Sequence, residues 1–235
     1  MNDPEAKNKS KTIADSTTEL SERSIKADKR KFWHDILSLT GFVVSVIVGA
    51  ILVNSFIFRS FDVVGPSMEP TLEGRGYSDR LIVNRLPVAW ANLQGKPYQP
   101  KRGDIIVFES NLLTTTGQPE YVVKRVTGLP GERITVNNCH LYVHNQQHPD
   151  GFDPYPTFKN LAPDDKKVNP CVAGDGTDIT VPQGEVFVSG DHRVDDYSTD
   201  SRNGSGRSSL GTIPFNKIVG PVALRIWPFN KLKVF

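Results

Sequence analysis

Between Ile36 and Phe58 the chain reads "ILSLTGFVVSVIVGAILVNSFIF", without a charged residue. At about 1.5 Å of rise per residue, a helix of that length crosses a hydrocarbon core of about 30 Å, so the run predicts a transmembrane helix over 36–58. A cleaved leader or a buried core helix would be shorter or differently flanked, and no A-x-A site follows the run. Beyond it the pattern changes to short β-rich runs: "FDVV", "RLIVN", "DIIVF", "YVVKRVTG", "RITV", "HLYVH", "DITV", "EVFVSG" and "IVGPVALRIW". Separated by Gly, Pro, Asn and Asp, they predict a mainly β fold, an antiparallel sheet or barrel-like domain over 59–235. No helical pattern of comparable strength follows residue 58. The stretch from Asn145 to Gly176 is dense in Pro, Asp and Asn and predicts an inserted loop lobe over about 145–176.

The residues before the apolar run are rich in Lys, Glu, Ser, Thr and Asp and too poor in large apolar side chains to offset chain entropy. Residues 1–35 are therefore expected to form a disordered basic tail. Lys26, Lys29, Arg30 and Lys31 precede the span, whereas Asp62, Glu69 and Glu73 follow Arg59. That bias keeps the tail cytoplasmic and places 59–235 outside the cytoplasm, on a single-pass membrane protein.

A net charge of +2 gives no clustered basic footprint for nucleic acid, and the expected non-substrate partner is the lipid bilayer. The C-terminal "ALRIWPFNKLKVF" mixes aromatic and basic residues, which suits either a membrane interface or an ordinary terminal strand. An exported region permits disulfides, and Cys139 and Cys171 allow one intramolecular bridge. Two buried free thiols are the alternative.

The segment "VVGPSMEPTL" places Ser67 between Pro66 and Met68, among turn-forming residues. A serine hydroxyl becomes a competent nucleophile only when a neighbouring base takes its proton. His34 precedes the span, and His140, His144 and His148 fall on a strand and turn, where they read as solvated surface groups; no metal site is expected. His192, in "SGDHRVDD", is the one histidine suited to a triad, with Asp191 or Asp195. Lysine is the alternative base. Lys124 interrupts the apolar strand "YVVKRVTG", and facing the core would disfavour its charged form. Ordinary strand alternation opposes this reading, because "KR" would turn one of its two charges outward.

Together, "GPSMEPTL", "RGDIIVF", "VVKRVTGLPGE" and "GDHRVDDYSTDSRNGSG", in this order behind an N-terminal anchor, resemble the bacterial type I signal peptidases. The resemblance covers nearly all of 59–235. It implies a membrane-bound serine endopeptidase without cofactors that cuts secretory preproteins after Ala-x-Ala sites. It further implies Ser67 as nucleophile, Lys124 as general base, Ser198 as the residue orienting the lysine, and Asp200 with Arg202 as a supporting charged pair. Val63, Val64, Gly65, Pro66, Met68, Val122 and Val123 are expected to line the substrate groove. Two positions depart from the family pattern: His192 stands where asparagine is usual, and Gly65 stands where some members place an oxyanion-binding serine. A catalytically silent, membrane-anchored β interaction domain is the reading from another class.

Overall fold

The computed structural model describes residues 31–53, 57–113, 117, 119–137, 140–158, 161, 176–192, 201–202 and 210–235. The chain divides into two compact units at Val53 and Asn54. In the first, α1 (Lys31–Val53) is long and apolar enough to cross a membrane. Phe32, Leu37, Phe42 and Ile51 are all exposed on it, so no core among the described residues absorbs its apolar surface. The helix starts ahead of the uncharged run, and Phe58, at the run's end, already belongs to the first strand.

The second unit is built from antiparallel strands. β1 (Phe58–Asp62), β2 (Arg80–Asn84), β3 (Ile105–Leu113) and β4 (Pro119–Gly128) precede β5 (Arg133–Asn137), β6 (His140–His144) and β7 (Asp178–Thr180). β8 (Glu185–Ser189), β9 (Ile213–Pro214), β10 (Ile218–Trp227) and β11 (Lys233–Val234) complete the series. The large sheet runs β1-β2-β10-β3-β4-β8-β9, with β11 beside β10, and β6-β5-β7 form a second sheet. β10 changes neighbours midway: Ile218–Pro221 pair with β3, and Val222–Trp227 pair with β2. Gly220 permits the crossing, since a Cβ there would lie 2.5 Å from the Asn84 carbonyl oxygen.

Alternation along these strands fills three cores. One joins Ile106, Phe108, Val126 and Val188, and a second joins Ile134, Val143, Tyr155, Phe158 and Phe187. The third, of Val63, Met68, Leu72, Leu81, Val83, Ile105, Val107 and Val222, lies beneath the loop that carries Ser67. Each such side chain contributes roughly 1.5–3 kcal/mol when fully buried.

The structure adds local detail. One short helix follows residue 58 among the described residues: α2 (Leu86–Leu93) has Pro87 in its first turn, where a missing N–H costs no helical bond. Its residues Leu86, Trp90 and Leu93 are exposed, so it carries no strong apolar face. Val63 and Val64 lie past the end of β1. His144 is not merely a solvated group, because its ring bonds Thr135 Oγ1 at 2.9 Å and the Pro149 carbonyl oxygen at 3.0 Å. The first part of the Asn145–Gly176 stretch packs down: Phe152 bridges Val143, while Tyr155 and Phe158 enter the second core. Cys139 and Cys171 lie outside the described residues.

Candidate active site

The Ser67 loop is fastened at both ends. Val63 N–H donates to the Asp79 carbonyl at 2.8 Å, and Gly65 N–H donates to the Gly74 carbonyl at 3.2 Å. Gly65 takes a φ of +86°, which glycine adopts without penalty. Gly74 packs so closely that an added Cβ would stand 2.1 Å from the Gly65 oxygen. Within the loop, Glu69 N–H reaches the Pro66 carbonyl at 2.9 Å and Leu72 N–H reaches that of Met68 at 2.8 Å. Met68 and Leu72 are fully buried, so the turn is pinned from below and Ser67 sits half-buried at its top.

β4 supplies the partner. Its pairing with β3 sets Lys124 opposite Ile106, and the lysine side chain ends 2.5 Å from Ser67 Oγ at its Nζ. Lys124 is only 3% exposed. Arg125 is buried too, contrary to the expectation that one of the two charges turns outward. Its Nε and Nη2 donate to the two carboxylate oxygens of Asp191 at 2.8 and 2.6 Å, and its Nη1 donates to the Gly103 carbonyl at 2.8 Å. The guanidinium also lies 5.1 Å from the Phe158 ring centre. Both faces of β4 are covered here, so alternation exposes neither cation.

His192 joins the site through its backbone, its N–H donating to the Ser67 carbonyl at 3.1 Å. Its ring Nδ1 lies 4.0 Å from Glu69 Oε2. Because Asp191 is engaged by Arg125, that carboxylate does not orient the His192 ring in the way a Ser/His/Asp triad requires. Hydrogen bonding from Arg75 holds the Glu69 carboxyl below the usual carboxylate range, aided by the nearby charges of Arg75 and His192 and opposed by burial.

Ser67 and Lys124 stand at one end of a cleft of about 510 Å³. Phe61 to Gly65 form one wall, Glu120 to Val123 the other, and Leu81 and Val107 line it between them. Among the described residues, β8 pairs with β4 only from Arg125 onward, beyond the stretch that lines the cleft. Val63, Val64, Gly65, Pro66, Val122 and Val123 line this cleft. Met68 does not: following the turn, it points into the core rather than the cleft. Phe61, Leu81, Val107, Tyr121 and Leu210 also line the cleft and were missed; for Phe61 and Tyr121 the signal was the strand period, two residues before Val63 and Val123. Ser198 and Asp200 lie outside the described residues. Arg202 is buried, and its carbonyl accepts a 3.0 Å hydrogen bond from Thr177 Oγ1.

A family model described as signal peptidase, peptidase S26, matches residues 36–227. The chain belongs to the signal peptidase family. It is 32% identical over 191 residues to signal peptidase I P of Bacillus subtilis subsp. natto, covering 81% of this chain and 88% of that one. It is similar to signal peptidase I of Bacillus amyloliquefaciens, with 32% identity over 91% of this chain and 94% of the relative. Signal peptidase I of Bacillus caldolyticus is 36% identical over 75% of this chain and 83% of its own length. As a peptidase of this family the chain is a serine endopeptidase, and its mainly antiparallel β architecture with an apolar N-terminal helix is consistent with the family fold.

Proposed function

We propose that this signal peptidase family member cuts signal peptides from secretory preproteins with Ser67 as nucleophile and Lys124 as its general base. The observation that carries the assignment is the 2.5 Å approach of Lys124 Nζ to Ser67 Oγ on an amine withdrawn from solvent. Desolvation favours the uncharged amine, the form a base requires. In the first step Lys124 takes the hydroxyl proton while Ser67 Oγ attacks the carbonyl carbon of the scissile bond. The tetrahedral intermediate collapses as Lys124 passes the proton to the departing amine of the mature protein, leaving the signal peptide as an ester on Ser67. Water, deprotonated by the same amine, then hydrolyses the ester. Gly65 offers no side-chain donor to the oxyanion, and the Ser67 N–H, which has no acceptor among the described residues, would serve.

The substrate would lie extended in the cleft, bound by main-chain hydrogen bonds to the β4 wall. Ser198 is assigned to orient Lys124, with Asp200 and Arg202 as its charged support. α1 is assigned as a single span in the lipid bilayer, its basic N-terminal flank cytoplasmic and the β unit outside the cytoplasm. The test is to incubate the detergent-solubilised full chain with a preprotein and map the products by mass. A single cut after an Ala-x-Ala site, lost in Ser67→Ala and in Lys124→Arg, is the expected result. Arginine keeps the charge but does not yield a neutral base, so activity in Lys124→Arg would overturn the assignment.

A further inference from the structure

We infer that Arg59, Phe61 and Tyr121 form a further substrate subsite at the end of the cleft remote from Ser67, and that Arg59 acts there as a filter against basic side chains. The inference rests on the proposed reading of the cleft as the site of the substrate strand. Phe61 belongs to β1 and Tyr121 to β4, strands that are not neighbours in the sheet, yet their rings lie 5.4 Å apart. The contact bridges the two walls and closes the cleft at that end. The Arg59 guanidinium rests over both rings, 5.1 Å from the centre of Phe61 and 4.7 Å from that of Tyr121.

The charge of Arg59 is not spent elsewhere, since it has no ion-pair partner among the described residues. Of the carboxylates next to these rings in the chain, Asp62 is held by Arg80 at 2.7 and 3.2 Å, while Glu120 lines the cleft wall beside Tyr121. A guanidinium stays protonated at every physiological pH. A lysine or arginine of the substrate brought to this end therefore meets a like charge over an apolar pair. A leucine finds ring surface and a glutamate finds a partner.

Position follows from strand rise. Tyr121 stands three residues before Lys124, roughly 10 Å at about 3.3 Å per residue, so the subsite receives about the fourth or fifth substrate residue before the cut. Selectivity of this kind works by repelling the wrong side chain as much as by holding the right one.

The experiment uses the full chain in nonionic detergent and peptides with alanine at the first and third positions before the cut. Glu, Leu or Lys is placed at the fourth or the fifth. At one of these positions kcat/KM for Glu should exceed that for Lys by about tenfold at low salt, and the ratio should shrink as salt rises. Arg59→Glu should invert the ratio and Arg59→Gln should flatten it. Since each ratio is taken within one enzyme, it does not depend on the variant's overall rate. An unchanged ratio in both variants overturns the inference, as does a flat ratio accompanied by weakened binding to anionic vesicles, which would give Arg59 to lipid. Failure of the underlying catalytic reading is distinguishable, because cleavage would then persist in Ser67→Ala.

Discussion

Arg125 and Asp191 hold each other through two hydrogen bonds, with side chains only 1% and 0% exposed. Arg125 follows Lys124 in β4, and Asp191 precedes His192, whose N–H holds the Ser67 carbonyl. The ion pair therefore closes a ring that passes through both halves of the proposed catalytic pair. Removing one partner of a buried pair leaves an uncompensated charge and costs about 3–5 kcal/mol. Asp191→Ala should lower stability by about that amount and reduce kcat more than it raises KM. Arg125→Met combined with Asp191→Leu leaves no orphan charge and should recover much of the stability. Denaturant unfolding in detergent reads both, and a single variant as stable as the parent would mean that the pair does not brace the site.

Gly74 should be the least replaceable residue of the Ser67 loop. All three atoms that a new Cβ would meet, at 2.1, 2.7 and 2.9 Å, are backbone atoms of Gly65, so no side chain can swing aside. Gly76 is the control: it has a φ of +80° but nothing within 4 Å, so alanine there meets conformational strain alone. Gly74→Ala is expected to cost roughly 1–3 kcal/mol from crowding and to slow cleavage. Gly76→Ala should pay only the strain of its backbone, about 1–2 kcal/mol. Equal stability and equal rates for the two would show that the Gly65–Gly74 contact does not position Ser67.

The strands were legible because β-branched and aromatic residues recur at short spacing between turn formers, a signal that burial reinforces. α2 was not, because its apolar residues face solvent and leave no core stripe to read. Ser67 and Lys124 could be paired through the family's motifs, whereas no spacing in the sequence places residues so far apart within 2.5 Å. Arg125 was misread for a physical reason: alternation predicts exposure only where one face of the strand meets water. Met68 was misassigned because adjacency to Ser67 says nothing about direction, and the turn sends the two side chains opposite ways. The cleft's far end escaped notice because Phe61 and Tyr121 meet only once the sheet is folded.

Glu69 ties a small part of the stability to acid pH. Its folded pKa is depressed, chiefly by the hydrogen bond from Arg75, so its contribution is present above the unfolded carboxylate value and lost as pH falls through the folded one. Because Arg75 is largely exposed, the effect should stay below about 1 kcal/mol. Thermal unfolding between about pH 6 and pH 3 should show a shallower loss in Glu69→Gln than in the parent. Identical slopes would mean that the contact is too well solvated to matter.

The shape of the cleft sets what is cut. Val63, Leu81 and Val107 are buried beside it and Val123 is half-buried, so the space next to Ser67 is walled by branched apolar side chains that cannot retreat without disturbing the third core. An extended peptide turns successive side chains to opposite faces, so the residue before the cut and the one two earlier point the same way. If both point at this wall, alanine fits and a larger side chain must displace packed atoms, which costs about 1–3 kcal/mol at each site. Replacing alanine by Phe at either position should therefore lower kcat/KM by on the order of 100-fold, and Lys should do worse because its charge also loses water. The residue between them points away from the wall, and its replacement should change the rate little. A peptide series that tolerates all three positions equally, or prefers a large side chain before the cut, would show that the substrate does not lie against Val63 and Val107, even with Ser67 proven as the nucleophile.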